Sequence, residues 1–164
     1  MTVLMVISLA GATTAGTEKV VTASTILNPP EVTVSNANLV ASAGSKASFV
    51  IDVQSSTSGT FYLAVADSKV NIMSPADMTL RTVAPLPLGL GVSYETASSA
   101  ANLAEHNGWY ITVNGVNSFK VKVTLSLSGV GSSSIPLQVA VFQLTNGGRS
   151  ALGTINYIQL QVNQ

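Results

Sequence analysis

The chain has 164 residues, with 7 Lys and Arg, 7 Asp and Glu, and a formal net charge of zero. Only 9% of the residues are charged, against about 25% in an ordinary soluble domain. This composition disfavours nucleic-acid binding through a basic face, which requires clustered Lys and Arg. The absence of Cys excludes a disulfide framework and thiolate metal sites. The length fits one domain, and so little charge would be unusual in a freely soluble cytoplasmic enzyme.

The first predicted element is the apolar run Val3–Leu9, with the sequence VLMVISL. It lacks the preceding basic residues of a signal peptide and is shorter than the roughly 20 apolar residues of a transmembrane helix. Its two apolar faces predict a strand buried on both sides. Two interpretations stay open: the first strand of the chain's own sandwich, or a strand donated to a neighbouring subunit. The small-residue run 11–16 favours donation because it suits a flexible connector.

Residues 17–66 predict strands separated by turn residues. A β-rich run, Thr17–Leu27, ends at a pair of prolines. Two alternating segments flank the Ser-rich stretch Ser55–Gly59, which we expect to be the loop of a hairpin. The predicted strands after Leu27 are Glu31–Val34, Asn38–Ala41, Ala47–Val53 with Phe49, Ile51 and Val53 on one face, and Thr60–Ala66 with Phe61, Leu63 and Val65 facing inward.

Helical signals occur in two places. Ser74-Pro75-Ala76-Asp77 places Ser at an N-cap and Pro in the first turn, which predicts a short helix. The stretch Ser98–Asn107 contains Ala, Leu and Glu and is followed by Gly108, which predicts the more convincing helix. The single histidine, His106, would then lie at a helix C-terminus, where a cation is favourable.

The C-terminal third carries the clearest strand patterns. Trp109–Val113 followed by Asn114-Gly115 predicts a strand and a tight turn. Ser118–Ser128 alternates, with Lys120 and Lys122 on its polar face. The remaining predicted elements are Pro136–Leu144 as a central strand, Asn146-Gly147-Gly148 as a turn, and Thr154–Val162 as an alternating strand with Ile158, Leu160 and Val162 on one face. About eight or nine strands and one short helix predict an all-β sandwich, immunoglobulin-like or jelly-roll.

Side chains that could carry chemistry are sparse. His106 has no accompanying nucleophile-elbow or paired-histidine motif, so we expect no catalysis, no metal site and no cofactor. Trp109 and Tyr110 could form a sugar-stacking platform, but a pair of core aromatics is the favoured interpretation. No N-glycosylation sequon is present. The seven carboxylates are scattered and predict no catalytic pair; they are Glu18, Glu31, Asp52, Asp67, Asp77, Glu95 and Glu105.

The apolar run Val3–Leu9, the small-residue stretch 11–16 and the hydroxyl-rich, cysteine-free remainder together resemble the subunits of donor-strand filaments. The similar families are the archaeal bundling pilins and threads and the TasA-type biofilm matrix fibres. Because threads are rich in N-glycan sequons, their absence favours the bundling pilins and TasA. Chaperone–usher pilins, which usually contain a disulfide, and type IV pilins, which begin with a long helix, fit less well.

This resemblance implies a structural protein rather than an enzyme: an extracellular, cell-surface subunit that forms a homopolymer by donating its N-terminal strand. Residues 1–16 would be the donor strand and linker, and residues 17–164 the sandwich domain. Lateral bundling of filaments is possible, and neither nucleic acid nor a membrane span is expected. The alternatives are a jelly-roll viral capsid protein and a carbohydrate-binding module using Trp109 and Tyr110. The predicted subunit-interface residues are Val3, Leu4, Met5, Val6, Ile7 and Leu9.

Overall fold

The computed structural model describes residues 28–80, 85–97, 102–145 and 151–164 in full. For residues 4–8, 18–22 and Ser150 it describes the backbone. These segments contain ten strands and one helix. The elements are β1 (Leu4–Ser8), β2 (Glu18–Thr22), β3 (Glu31–Val34), β4 (Asn38–Ser42), β5 (Lys46–Asp67), α1 (Pro75–Leu80), β6 (Gly91–Thr96), β7 (Asn102–His106), β8 (Tyr110–Ser126), β9 (Ser133–Thr145) and β10 (Ser150–Asn163).

Eight strands form one hydrogen-bonded network that folds into two layers, because β5 and β8 run through both of them. The first layer has the order β3–β5–β8–β6, and the second has the order β4–β10–β9–β5–β8–β7. The first order matches the ABED sheet of an immunoglobulin-like sandwich, and the run β10–β9–β5 within the second matches its GFC sheet. The predicted all-β sandwich with one short helix is therefore confirmed, and the strand order favours the immunoglobulin-like form over a jelly roll.

Two predicted hairpin turns are instead bends within long strands. The loop expected at Ser55–Gly59 lies inside β5, and the turn expected at Asn114-Gly115 lies inside β8. Both predictions are wrong because β5 pairs with β8 on either side of the irregularity, with register shifts between Gln54 and Thr60. Bulges of this kind let strands pass from one sheet of a sandwich to the other. Gln143 of β9 holds the β5 bend through a 2.8 Å hydrogen bond from its Nε2 to the carbonyl oxygen of Thr57.

The core between the layers is built from the alternating positions that the sequence predicts to face inward. The predicted inward residues of β5, β8 and β10 are buried in a single cluster. They include Phe49, Ile51, Val53, Phe61, Leu63, Val65, Phe119, Val121, Val123, Leu125, Leu127, Ile158, Leu160 and Val162.

The second layer is covered on its outer face as well. A smaller cluster joins Ala64, Ala140 and Phe142 of the sheet to Ile72 and to Met78 of α1. The apolar character of β9 on both faces is thereby explained, and its predicted central position is confirmed. The helix predicted from the Ser-Pro signature is also confirmed, with Asp77 accepting hydrogen bonds from the backbone N–H groups of Met73 and Ser74.

The helix predicted at Ser98–Asn107 is wrong for its described part, because residues 102–106 form β7 and pair with β8. Asn107 and Gly108 have φ angles of 53° and 70°. Positive φ at both central residues is the geometry of a tight hairpin turn, so the chain reverses after His106. The turn predicted at residues 146–148 lies outside the described residues, although Thr145 of β9 pairs with Ser150 of β10.

Candidate functional site

The predicted donor residues are placed in a separate hairpin. Leu4, Met5, Val6 and Ile7 lie on β1, which pairs antiparallel with β2, whereas Val3 and Leu9 lie outside the described residues. Within the residues that the structure describes, neither β1 nor β2 pairs with a strand of the two layers. β2 was expected in the sandwich, since the predicted boundary fell at residue 16. A lone two-stranded hairpin is marginally stable in water.

His106 is the last residue of β7, directly before the hairpin turn, and does not lie at a helix C-terminus. Its ring stacks on Tyr110, with the centroids 4.5 Å apart, and its Nε2 is 3.0 Å from Thr112 Oγ1. The ring of Tyr62 also stacks with the ring of Tyr110, with the two centroids 6.0 Å apart. The pKa of the Tyr110 hydroxyl is raised, mainly by burial and to a smaller extent by the electrostatic effect of the nearby Tyr62 hydroxyl. In the parts of the chain that the structure describes, no three His, Cys, Asp or Glu side chains converge into a metal site.

Trp109 and Tyr110 belong to the core, as the favoured interpretation held. Their exposed fractions are 1% and 7%, and their rings meet edge to face with centroids 4.9 Å apart. A sugar-stacking platform needs exposed ring faces, so the carbohydrate-binding alternative based on this pair is wrong. The indole Nε1 of Trp109 is buried and has no hydrogen-bond partner within the described chain.

Tyr94 ties the two layers together where the ladder between β5 and β8 ends. Its hydroxyl donates to the carbonyl oxygen of Trp109 and accepts from the backbone N–H of Val65, each at 3.0 Å. Burial raises the pKa of this hydroxyl well above its ordinary value. The group is therefore a neutral structural clamp between two backbone groups.

The solvent face of the first layer carries two cross-strand ion pairs. Lys120 Nζ lies 2.7 Å from Asp52 Oδ2, and Lys122 Nζ lies 3.8 Å from Glu95 Oε2. Each pair joins residues directly opposite one another in the ladder. Exposed pairs of this kind contribute little stability, and the face resembles ordinary solvated sheet rather than a binding site.

The second layer contains an edge that is open along half of one strand. Pro136 of β9 has no N–H and its carbonyl oxygen accepts from Ser68, while the N–H of Gln159 donates to Ala37. The opposed pair Gln159 and Pro136 is therefore not hydrogen-bonded across β9 and β10. Because hydrogen-bonded and non-bonded pairs alternate in an antiparallel ladder, every second residue of β10 from Ala151 to Tyr157 points its N–H and C=O away from β9.

This outward side has no strand partner among the described residues until β4 begins. β4 pairs with β10 only from Gln159 to Asn163. Before Gln159, β10 faces β3 across a seam that is bridged by two side chains. Thr154 Oγ1 donates to the carbonyl oxygen of Pro30 at 2.6 Å, and Asn156 Nδ2 donates to that of Val32 at 2.7 Å. Two side-chain hydrogen bonds thus bridge the seam, while the outward backbone groups of β10 have no strand partner in the described parts of the chain.

A cleft of about 250 Å³ lies at this seam. Its walls come from β3, from the start of β4 and from β10, and they are Val32, Thr33, Val34, Ala37, Asn156 and Tyr157. Beside it, the side chains of Ile155 and Tyr157 are 37% and 66% exposed. Residues 150–164 contain no charged side chain. We name the segment Ala151–Tyr157, with its outward backbone groups and this cleft, the open edge.

The other sheet edges differ from the open edge in charge or in length. The outer strands β3, β6 and β7 carry Glu31, Glu95 and Glu105, and charge on an edge protects it against strand addition. β4 is uncharged, but the N–H of Asn38 already donates to Asn36 and the carbonyl of Ser42 already accepts from Ser45. Natural protection is thus weakest along β10.

No family model and no curated protein sequence matches the chain. Among solved structures, it is similar to AggA, the major subunit of aggregative adherence fimbriae type I from Escherichia coli. The two share 14% identity over 86% of this chain and 100% of that one, with a TM-score of 0.43.

It is also similar to domains 4 and 5 of the S-layer protein SbsC, at 13% identity over 90% of this chain and 52% of that one, with a TM-score of 0.40. A family 123 glycoside hydrolase from Clostridium perfringens is 8% identical over 83% of this chain and 27% of that one, with a TM-score of 0.43. These values are too low to transfer a function from any of the three proteins to this chain.

Sequence reasoning found the apolar N-terminal strand but missed the open edge. The alternation in residues 154–162 predicts which side chains face inward and does not reveal which backbone groups are paired. Pro136 was the available signal, because proline removes a ladder donor and fixes the bonding phase of the strand that contains it.

Proposed function

We propose that this protein is the repeating subunit of an extracellular filament, a structural protein without catalytic activity, and that it polymerises through its N-terminal apolar strand. The interface residues on the donating side are Val3, Leu4, Met5, Val6, Ile7 and Leu9. The resemblance to bundling pilins and matrix fibres supports the extracellular location. Lateral bundling of the filaments belongs to the same proposal.

The observation that carries the proposal is the separation of β1 from the two layers. β1 pairs only with β2 among the described residues, so one edge of β1 is available to another sheet. Its four apolar residues would remain costly in water, at roughly 1.5–3 kcal/mol for each large side chain that finds no cover. Strand addition between copies would satisfy both the edge and the side chains.

The composition supports a contact that does not rely on ions. Residues 1–17 contain no charged side chain, and the net charge of the chain is zero. A near-neutral protein is prone to self-association. No helix within the described segments is both long and apolar enough to cross a membrane.

The test compares the full chain with a variant lacking residues 1–10. Electron microscopy of the full chain should show fibres. The truncated chain should give none while keeping a cooperative thermal transition, because the deletion leaves the two layers untouched. Normal fibres from the truncated chain would overturn the proposal.

Two point variants provide a matched control. Val6→Asp places a charge on β1, and Val40→Asp places the same charge on an exposed valine of β4. We expect Val6→Asp to suppress fibre formation and Val40→Asp to leave it close to that of the full chain. Equal effects of the two variants would show that added charge, and not β1, controls assembly.

A further inference from the structure

We propose that the open edge of β10 is the acceptor for β1 of a second copy of this chain. The inference rests on the proposed function and assigns the surface that the function leaves unspecified. One copy adds the free side of its β1–β2 hairpin to Ala151–Tyr157 of the next copy. The added strand continues the line of β4 along the second layer.

The open edge provides the hydrogen-bonding groups that strand addition requires. The outward N–H and C=O groups of β10 run from Ala151 to Tyr157, where β10 has no other strand beside it within the described chain. Thr154 and Asn156 hold β10 to the segment containing Pro30 and Val32 by side-chain hydrogen bonds. An incoming strand can therefore form backbone hydrogen bonds with β10 while these two side-chain bonds stay in place.

The length and character of β1 fit this edge. β1 has five residues, Leu4–Ser8, and can lie fully within the seven-residue open edge. Both partners lack charge, so no ion is desolvated when they meet. Ile155 and Tyr157 offer exposed apolar surface beside the edge, and apolar side chains of β1 can cover it.

The geometry also explains why addition would propagate. β1 and the open edge are different surfaces of one chain, so the contact is head-to-tail. Contacts of this type form open filaments unless a rotation closes them into a ring. Each added copy presents a new open edge to the next.

A proline at Ile155 tests the edge directly. The N–H of residue 155 points away from β9, so proline there removes an outward donor and leaves the ladder to β9 intact. Val40→Pro is the matched control, because the N–H of Val40 also points outward, on β4. We expect Ile155→Pro to raise the critical concentration for fibres by roughly three- to tenfold, since the loss of one hydrogen bond at the contact weakens it by about that factor.

Val40→Pro should change the critical concentration by less than about twofold, within the range of a surface change that breaks no contact. Thermal melting of both variants below the critical concentration shows whether the subunit is folded. If Ile155→Pro is unfolded, Tyr157→Lys replaces it, because this exposed position tolerates the change and the charge protects the edge. Normal fibres from a folded variant of either kind would overturn the proposal.

Cross-linking identifies the partner segment. The chain has no Cys, so a single introduced thiol is unique. Val6→Cys and Tyr157→Cys chains are mixed during assembly and treated with a short bifunctional thiol reagent. We expect cross-linked dimers from this mixture and few from Val6→Cys mixed with Val40→Cys or Ala104→Cys, which mark the edges of β4 and β7.

The outcomes separate this inference from the proposed function. Fibres that cross-link β1 to β4 or β7 would overturn the acceptor assignment and leave strand donation standing. Fibres that persist without residues 1–10 would overturn donation itself. A chain carrying both Val6→Cys and Tyr157→Cys that yields only cross-linked monomers would show that β1 covers its own edge, which also contradicts the inference.

Discussion

The two halves of β10 share β9 on one side and differ on the other. From Gln159 to Asn163 the strand is flanked by β4 and its side chains Leu160 and Val162 are fully buried. From Ala151 to Tyr157 it faces a seam that, in the described part of the chain, is bridged by side chains and not by a strand ladder, and Ile155 and Tyr157 are exposed. The difference teaches that a sandwich can bridge a seam with two polar side chains and still leave the backbone groups beside it without a strand partner.

The sharpest test of this comparison removes one aliphatic side chain from each half. Leu160→Ala should lower the free energy of unfolding by about 2–5 kcal/mol, because it leaves a cavity in a closed core. Ile155→Ala should cost about 1 kcal/mol or less, because this side chain is partly exposed already. Urea denaturation of both variants below the assembly concentration measures the two values. Similar losses of unfolding free energy in the two variants would mean that the two halves of β10 are equally well packed.

A smaller effect is expected at Gly153, on the outer face of the open half. A Cβ at this position would clash with the ring of Phe142, so the ring must move. Gly153→Ala should therefore lower the free energy of unfolding by about 1–3 kcal/mol, as overpacking does.

The matched control is Gly131→Ala, where a Cβ meets nothing within 4 Å and the backbone is not left-handed. We expect its melting temperature to equal that of the parent chain. If both glycine variants melt with the parent, Phe142 does not pack on the open half of β10 as described.

The smallest effect is expected from salt. The proposed contact joins two uncharged segments, so raising NaCl to about 1 M, where the Debye length is roughly 3 Å, should shift the critical concentration for fibres by less than about twofold. Sedimentation of fibres across the salt series measures it. Dissolution of the fibres by NaCl alone would show that ion pairs hold the subunits together. It would contradict a contact at the uncharged open edge.

Much of the fold follows from side-chain alternation, because burial of one face is decided locally. The inward positions of β5, β8 and β10 are predicted correctly from their period of two. The continuity of the two long strands, β5 and β8, is not predicted from the sequence, because Ser55–Gly59 and Asn114-Gly115 carry strong turn signals. Pairing with a partner that runs along the whole length overrides them.

The helix predicted at Ser98–Asn107 failed for a related reason. Helix propensities of residues other than proline differ by about 1 kcal/mol or less, so tertiary context overrides them readily, and residues 102–106 pair with β8 instead. Asn107-Gly108 was a hairpin signal interpreted as a helix stop. On the site, composition alone singles out Val3–Leu9, whereas the open edge depends on the bonding phase of β9 and β10, which only the assembled sheet defines.

The early position of β5 in the chain has a consequence for biosynthesis. β5 ends at Asp67, yet its long partners begin at Tyr110 and Ser133, so a ribosome must make most of the protein before this strand can pair with them. Folding that depends on such distant contacts is intrinsically slow, and unpaired strands on a growing chain attract other copies. We therefore expect this protein to be prone to aggregation during translation, and a holding chaperone that masks β5 to raise the yield.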